Sequence, residues 1–371
     1  MTIGSLQAQD FAGQLMSDYE KYLETSLTHR RFKHKQVAAL IGKLPDRGFK
    51  VQEMGQSYQG RPIYLVSIGK GKKSVLLWSQ MHGDEATATM ALFDIFNYIS
   101  QQKPETIQPL LDRVTLHFIP MLNPDGAELF QRRTSQGIDM NRDALSLECP
   151  ESKLLKQIRD HLQPDFGFNL HDQSTYYTVG TTKKPATISF LAPAYNEEKD
   201  INEKRGDAMK VIAVMNDALQ EVIPGQVGKY DDTHEPRAFG DNIQKWGTRT
   251  ILVESGGHAQ DPEKQYIRQL NFMAILVAFD AIASGNYQEE DINKYWQIPM
   301  NRRNLNDLLI RNVSIERPMD RSYKVDLAIQ REEHDINGEA PLSYIGQIED
   351  LGDLSTQFGY QEITEEGLVF A

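Results

Sequence analysis

The run Gln80-Met81-His82-Gly83-Asp84-Glu85 sets an imidazole and a carboxylate three residues apart across a glycine, directly after the apolar run Val75 to Ser79. At a strand-to-helix turn, His82 and Glu85 can aim at one point in space, and both are good ligands for a borderline divalent cation. The same pair also suits a capping histidine and a first-turn carboxylate favoured by the helix dipole. Three further apolar runs end in matching equipment. Phe166 to Leu170 leads into His171 and Asp172, and Ile251 to Val253 leads into Glu254 and then Ser255-Gly256-Gly257. Val114 to Pro120 leads into Asn123-Pro124-Asp125-Gly126, followed by Arg132-Arg133 and Asp139-Met140-Asn141-Arg142. Jointly these supply three ligands, a free carboxylate and two cationic groups, which is the inventory of metal-assisted hydrolysis.

Such residues need a frame that brings distant segments together. From Arg61 onward, β-rich runs at 63–68, 74–79, 114–120, 166–170 and 250–253 alternate with helical patterns at about 86–100, 151–162, 197–223 and 263–283. Val75-Leu76-Leu77-Trp78 and Ile251-Leu252-Val253 are apolar throughout, so helices must cover both faces of the sheet, and the fold class is α/β. In open sheets of this kind the site collects at the carboxyl ends of the strands, where these polar residues lie.

Around this core, residues 1–50 carry apolar positions at helical spacing (Phe11, Leu15, Tyr19, Tyr22, Leu23) and read as a helical extension packed on the main domain. Thr28 to Lys35 is the only strongly basic run, an anion-binding patch or, more ordinarily, a solvated helix face. Residues 51–299 are expected to form the main domain, which carries the polar clusters above. Residues 300–371 read as a small β-rich domain without assignable chemistry. Its strands are expected at 307–313, 323–330 and 343–348, with turns at Glu316-Arg317-Pro318, Asn337-Gly338 and Asp350-Leu351-Gly352-Asp353.

Composition narrows the functions. The chain has 371 residues, 40% apolar and 25% charged, so wholesale disorder is excluded. Forty basic against 52 acidic residues give a net charge of −12, which argues against nucleic acid or an anionic membrane as partner. Cys149 is the single cysteine, so any metal must sit on histidines and carboxylates. Residues 1–10 lack a basic segment followed by an apolar one, and no apolar run approaches 18 residues; the expectation is a cytoplasmic protein.

The ordered set Tyr58-Gln59-Gly60-Arg61-Pro62-Ile63, His82-Gly83-Asp84-Glu85, Asn123-Pro124-Asp125-Gly126, Asp139-Met140-Asn141-Arg142, His171 and Glu254 resembles the zinc carboxypeptidases related to pancreatic carboxypeptidase A. The likeness covers about residues 55–285. It implies a three-layer α/β/α domain with a mixed, largely parallel eight-stranded sheet, and one zinc held by His82, Glu85 and His171. It implies Glu254 as general base and an arginine for the oxyanion, aligned here with Arg133, with Arg132 as the neighbouring alternative. Asn141 and Arg142 would grip the carboxylate of a peptide or small amide substrate, and Tyr230 falls at the distance of the family's substrate-capping tyrosine. Phe239 and Asp241 lie where the side-chain pocket is built.

The sequence also departs from that pattern. Asp143-Ala144 follow Arg142 where the family has Asn and an aromatic, and Thr134 follows Arg133 where many bacterial relatives have Asn. Asp143 either favours a substrate with a basic group or pairs with a nearby arginine. Two other readings stand beside the peptidase: an N-acyl amino acid deacylase of the succinylglutamate desuccinylase and aspartoacylase type, and a non-catalytic binding protein on the same scaffold. The side-chain preference and the oligomeric state are not written in these residues.

Overall fold

The computed structural model describes residues 3–317, 321–334, 343–364 and 369–370. Nine strands build the main region: β1 (Lys50–Gln56), β2 (Pro62–Gly69), β3 (Lys73–Ser79), β4 (Val114–Ile119), β5 (Phe166–Asp172), β6 (Tyr177–Val179), β7 (Ile188–Leu191), β8 (Val227–Lys229) and β9 (Arg249–Ser255). All but β6 join one eight-stranded sheet in the order β1-β2-β4-β3-β5-β9-β7-β8. β4, β3, β5 and β9 run parallel, as do β7 and β8; β1, β2 and the β7–β9 pair supply the antiparallel contacts. The expected α/β class and mixed eight-stranded sheet are therefore present.

Alternation along β3 shows why its sequence is apolar throughout. Val75 and Leu77 enter one core with helices Thr87–Gln101, Glu203–Val222 and Gln265–Ser284, while Leu76 and Trp78 enter a second core on the other face with Leu154, Leu155, Phe239 and Ile243. Gln265–Ser284 is long and apolar enough by composition to cross a membrane, yet it is the buried central helix of the larger core.

Helix boundaries follow local capping chemistry. The long helix expected from about residue 197 starts at Glu203, because the Asn202 side chain accepts the Arg205 amide hydrogen bond at 2.9 Å and ends the preceding loop. Strands β6, β7 and β8, only three or four residues each, lie outside the sequence expectations.

The remaining strands are β10 (Asn301–Arg303), β11 (Leu305–Arg317), β12 (Arg321–His334), β13 (Ser343–Gly352), β14 (Phe358–Thr364) and β15 (Val369–Phe370). β10 pairs with β6, and the other five form a C-terminal sheet. The turn expected at Asp350–Asp353 is corrected: β13 continues to Gly352, with Leu351 opposite Leu327 and Asp350 opposite Ala328. Asn337-Gly338 and Pro318 lie outside the described residues.

The N-terminal segment contains helices Ile3–Asp18 and His34–Ile41 and is bonded to the main region through a buried charge pair. Asp94 accepts from Arg268 at 2.6 Å, from the Tyr19 hydroxyl at 2.8 Å and from the Glu24 amide at 2.7 Å; Arg268 also donates to the Glu24 carbonyl at 3.0 Å. Both charged side chains are essentially inaccessible. The basic run is not a solvated face either. Arg30 and Arg31 are buried, with their guanidiniums over the Phe130 ring, and Arg30 pairs with Glu333 of β12. Removing one partner of a buried pair leaves an uncompensated charge, so Arg268→Met is expected to destabilise the fold by about 3–5 kcal/mol, read as a lowered denaturant midpoint.

Candidate metal centre and active site

β3 and β5 are adjacent parallel strands, with Ser79 opposite Leu170. Their carboxyl ends lie where the strand order departs in opposite directions, toward β4 on one side and β9 on the other, the usual place for a site in an open α/β sheet. Immediately after β3 the chain turns sharply. A Cβ on Gly83 would lie 2.0 Å from the carbonyl carbon of Gly126, so only glycine permits this approach of the two loops. Asn123 fastens the same junction, its carboxamide donating to the Met81 carbonyl at 3.3 Å and accepting from the Gly126 amide at 2.9 Å.

The turn aims His82 and Glu85 at His171. Glu85 Oε1 lies 2.7 Å from His82 Nδ1, Glu85 Oε2 lies 2.7 Å from His171 Nδ1, and the two Nδ1 atoms are 3.2 Å apart. All three residues are buried. Two imidazole nitrogens and a carboxylate converging on one point form the nitrogen and oxygen donor set of a divalent metal site with an open position, and the residues fit such an ion. Asp139 completes the arrangement from outside: its Oδ1 receives a hydrogen bond from His82 Nε2 at 3.0 Å, which fixes the tautomer and leaves Nδ1 as the donor atom.

Two carboxylates here have opposite electrostatics. Burial works against the Glu85 charge, but the two histidines overcome it and hold its carboxyl well below the usual range. Glu254 stands opposite His171 in the β5–β9 register. Burial, reinforced by the negative charge of Glu85, pushes its carboxyl well above the usual range, and its buried Oε2 has no protein hydrogen-bond partner among the described residues. The surroundings thus push the two carboxyls in opposite directions, one toward the ionised form and the other toward the protonated form. Tyr230 belongs to the same neighbourhood, its phenol raised by burial and then by the Glu254 charge, with its ring 5.7 Å from that of Tyr177.

Of the two adjacent arginines, it is Arg132 that reaches the cluster. Its guanidinium lies 3.1 Å from both Glu85 Oε1 and His82 Nδ1 and bonds Asp139 Oδ2 at 3.2 Å. Arg133, the first choice from sequence, is corrected: it turns away and donates to the Gly137 carbonyl at 3.1 Å. Asn141 accepts the Phe239 amide hydrogen bond at 3.0 Å. Arg142 is 41% exposed and shares Glu235 with Arg237, at 3.3 and 2.9 Å. Asp143 neither pairs with an arginine nor faces a substrate; it is buried and accepts from the Glu148 and Cys149 amides, both at 2.9 Å, tying down the start of helix Pro150–Leu162. Phe239 is fully buried in the second core, and Asp241 accepts from the Glu235 amide at 3.1 Å.

Sequence reasoning gave no role to Asp139 or Lys264. Lys264 is buried and donates to Asp172 at 3.1 Å and to the Ser255 carbonyl at 2.9 Å, joining the ends of β5 and β9. No motif marks it, since it precedes its helix in a loop; Asp139 was visible as part of its motif but without a function. Asp125 explains the Tyr58 to Ile63 lead-in: it binds Ser57 at 2.6 Å, the Gln59 amide at 2.9 Å and Arg61 at 2.7 Å, bracing the loop before Arg132.

This is an α/β architecture with a set of candidate metal donors at its strand ends. Residues 36–168 match the model of the zinc carboxypeptidase family. Among curated proteins it is similar to cytosolic carboxypeptidase 6 of Mus musculus, 31% identical over 40% of this chain and 30% of that protein. It is also similar to carboxypeptidase SOL1 of Arabidopsis thaliana, 27% identical over 30% of this chain and 26% of that one. The matches span 26% to 41% of the length of the first curated relatives. In three dimensions it is similar to bovine thrombin-activatable fibrinolysis inhibitor in complex with tick carboxypeptidase inhibitor, with a TM-score of 0.56 and 15% identity over 70% of this chain and 98% of that one.

Titration of metal-free protein with zinc is expected to show about one equivalent bound. His171→Ala should abolish that binding, and Asp139→Ala, which releases the His82 ring along with the Arg132 guanidinium, should weaken it by about 10- to 100-fold.

Proposed function

We propose that the protein is a zinc-dependent metallocarboxypeptidase that hydrolyses the C-terminal amide bond of a peptide. The observation that carries this reading is the convergence of His82, Glu85 and His171 beside Glu254, a buried carboxyl with an oxygen left without a protein partner. The match of residues 36–168 to the zinc carboxypeptidase family model supports the same reaction class.

Zinc held by His82, Glu85 and His171 would supply Lewis acidity and lower the pKa of water from about 15.7 toward 7. Glu254 accepts the proton of the attacking water and delivers it to the leaving amine, a two-way role for which its raised affinity for a proton is suited. Arg132 faces the carbonyl oxygen as negative charge develops there, and a guanidinium does so without losing its proton. Asp139 holds Arg132 and His82 in one orientation. Arg142 receives the substrate's terminal carboxylate, with Asn141 beside it, and Glu235 yields the guanidinium when that carboxylate arrives. Tyr230 closes over the bound residue from the Glu254 side.

A panel of peptides with free and amidated C-termini, run beside N-acyl amino acids, tests the assignment. Release of the terminal residue from free-carboxylate peptides alone is expected, and exclusive cleavage of N-acyl amino acids would overturn it. Glu254→Gln should retain its metal and lower kcat by about 100- to 10,000-fold. Arg132→Met should lower kcat by about 100- to 1,000-fold, whereas Arg133→Met should stay within about twofold of wild type.

A further inference from the structure

A cavity of about 900 Å³ opens beside Glu85 and Asp172 and runs away from Asn141 and Arg142, neither of which borders it. One wall belongs to the main region and the N-terminal segment, including Arg30, Phe130 and His258. The facing wall is the C-terminal sheet, where Leu308, Ile329, Tyr344 and Tyr360 line the space. Three contacts fix that sheet in place. The Tyr360 hydroxyl donates to the Thr175 carbonyl at 2.8 Å, the Tyr176 hydroxyl donates to Asp307 at 2.6 Å, and Arg30 pairs with Glu333.

Much of the charge along these walls is paired, while Asp84 adds a carboxylate whose Oδ1 has no protein partner among the described residues. Arg331 pairs with Asp307 at 2.7 Å, Lys264 pairs with Asp172 at 3.1 Å, and Asp261 is spent on the Gln265 and Tyr266 amides at 2.7 and 3.0 Å. Arg331 also lies 5.1 Å over the Tyr344 ring. Beside these polar groups the walls offer a ligand aromatic and aliphatic area from Phe130, Leu308, Ile329, Tyr344 and Tyr360, and the volume lies within the range of sites that enclose a drug-sized molecule or a few residues of chain.

We propose that this cavity binds the residues of the substrate on the N-terminal side of the scissile bond, that the C-terminal sheet is its recognition wall, and that it prefers apolar and aromatic side chains there. The inference rests on the metallocarboxypeptidase reading: with the terminal carboxylate at Arg142 and the scissile carbonyl at the His82–Glu85–His171 cluster, the rest of the chain continues past Glu85 into this space. The C-terminal sheet and the Arg30 segment thereby acquire a common role in selecting substrate.

The test uses zinc-loaded Glu254→Gln protein, so that binding is read without turnover. Dissociation constants are measured for a blocked dipeptide and for the same dipeptide extended at its N-terminal end by Leu-Phe, by Lys-Lys or by Glu-Glu. The Leu-Phe extension is expected to tighten binding by about tenfold or more, with changes within about twofold for the charged extensions. Adding Tyr344→Ala or Ile329→Ser should bring the Leu-Phe gain to within about twofold, while Tyr323→Ser, on an exposed part of the same sheet, should preserve it; thermal unfolding of each variant checks the fold. No Leu-Phe gain, a gain of equal size for all three extensions, or a gain that survives both cavity substitutions overturns the proposal. Turnover by the wild-type protein decides the hydrolase reading separately.

Discussion

Glu85 keeps a negative charge in a place that water hardly reaches, and much of the surrounding structure serves that single fact. Desolvation alone would protonate it. It stays ionised because His82, His171 and Arg132 all press on it and because the Asp172 amide donates to Oε2 at 3.1 Å. His82 comes from the same turn as Glu85, His171 and the Asp172 amide from the end of β5, and Arg132 from the loop beyond β4, so the full set of partners assembles only when these three segments come together. The glycine at 83 and the carboxamide of Asn123 are consequences of this requirement, since they let two loops approach closely enough to deliver Arg132.

Glu254 is the counterpart, a carboxyl on the neighbouring strand end that has been denied such partners. The two residues are chemically the same and their surroundings separate them: one is surrounded by cations and donors, the other by burial and the first one's charge. A site that must both hold a cation and move a proton needs this separation, because two equivalent carboxyls would compete for either task.

The sheet core was readable because apolar runs stop abruptly at polar clusters, and a strand buried on both faces leaves no other pattern. The candidate metal donors His82, Glu85 and His171 lie at the same stops. Other features were hidden for identifiable reasons. Arg132 and Arg133 are neighbours in a loop, where no periodicity says which one points inward, and the hydrogen bond from Arg133 to Gly137 decides it locally. Asp143 looked functional because of its position beside Arg142, but two backbone amides five and six residues ahead claim it. Arg30 looked solvated because its partner, Glu333, lies about 300 residues away in a segment with no motif. β6 escaped notice because three residues become a strand only when β10 supplies their partners.

The loop after Glu254 carries a further consequence. A Cβ on Gly257 would stand 2.2 Å from the Tyr360 hydroxyl and 2.7 Å from the Thr175 carbonyl. A residue three positions after Glu254 and Tyr360 of β14 therefore compete for the same space. A side chain at 257 would have to displace both the Tyr360 ring and the Thr175 backbone, so the fit of the C-terminal sheet against the main region is set at the very loop that follows Glu254.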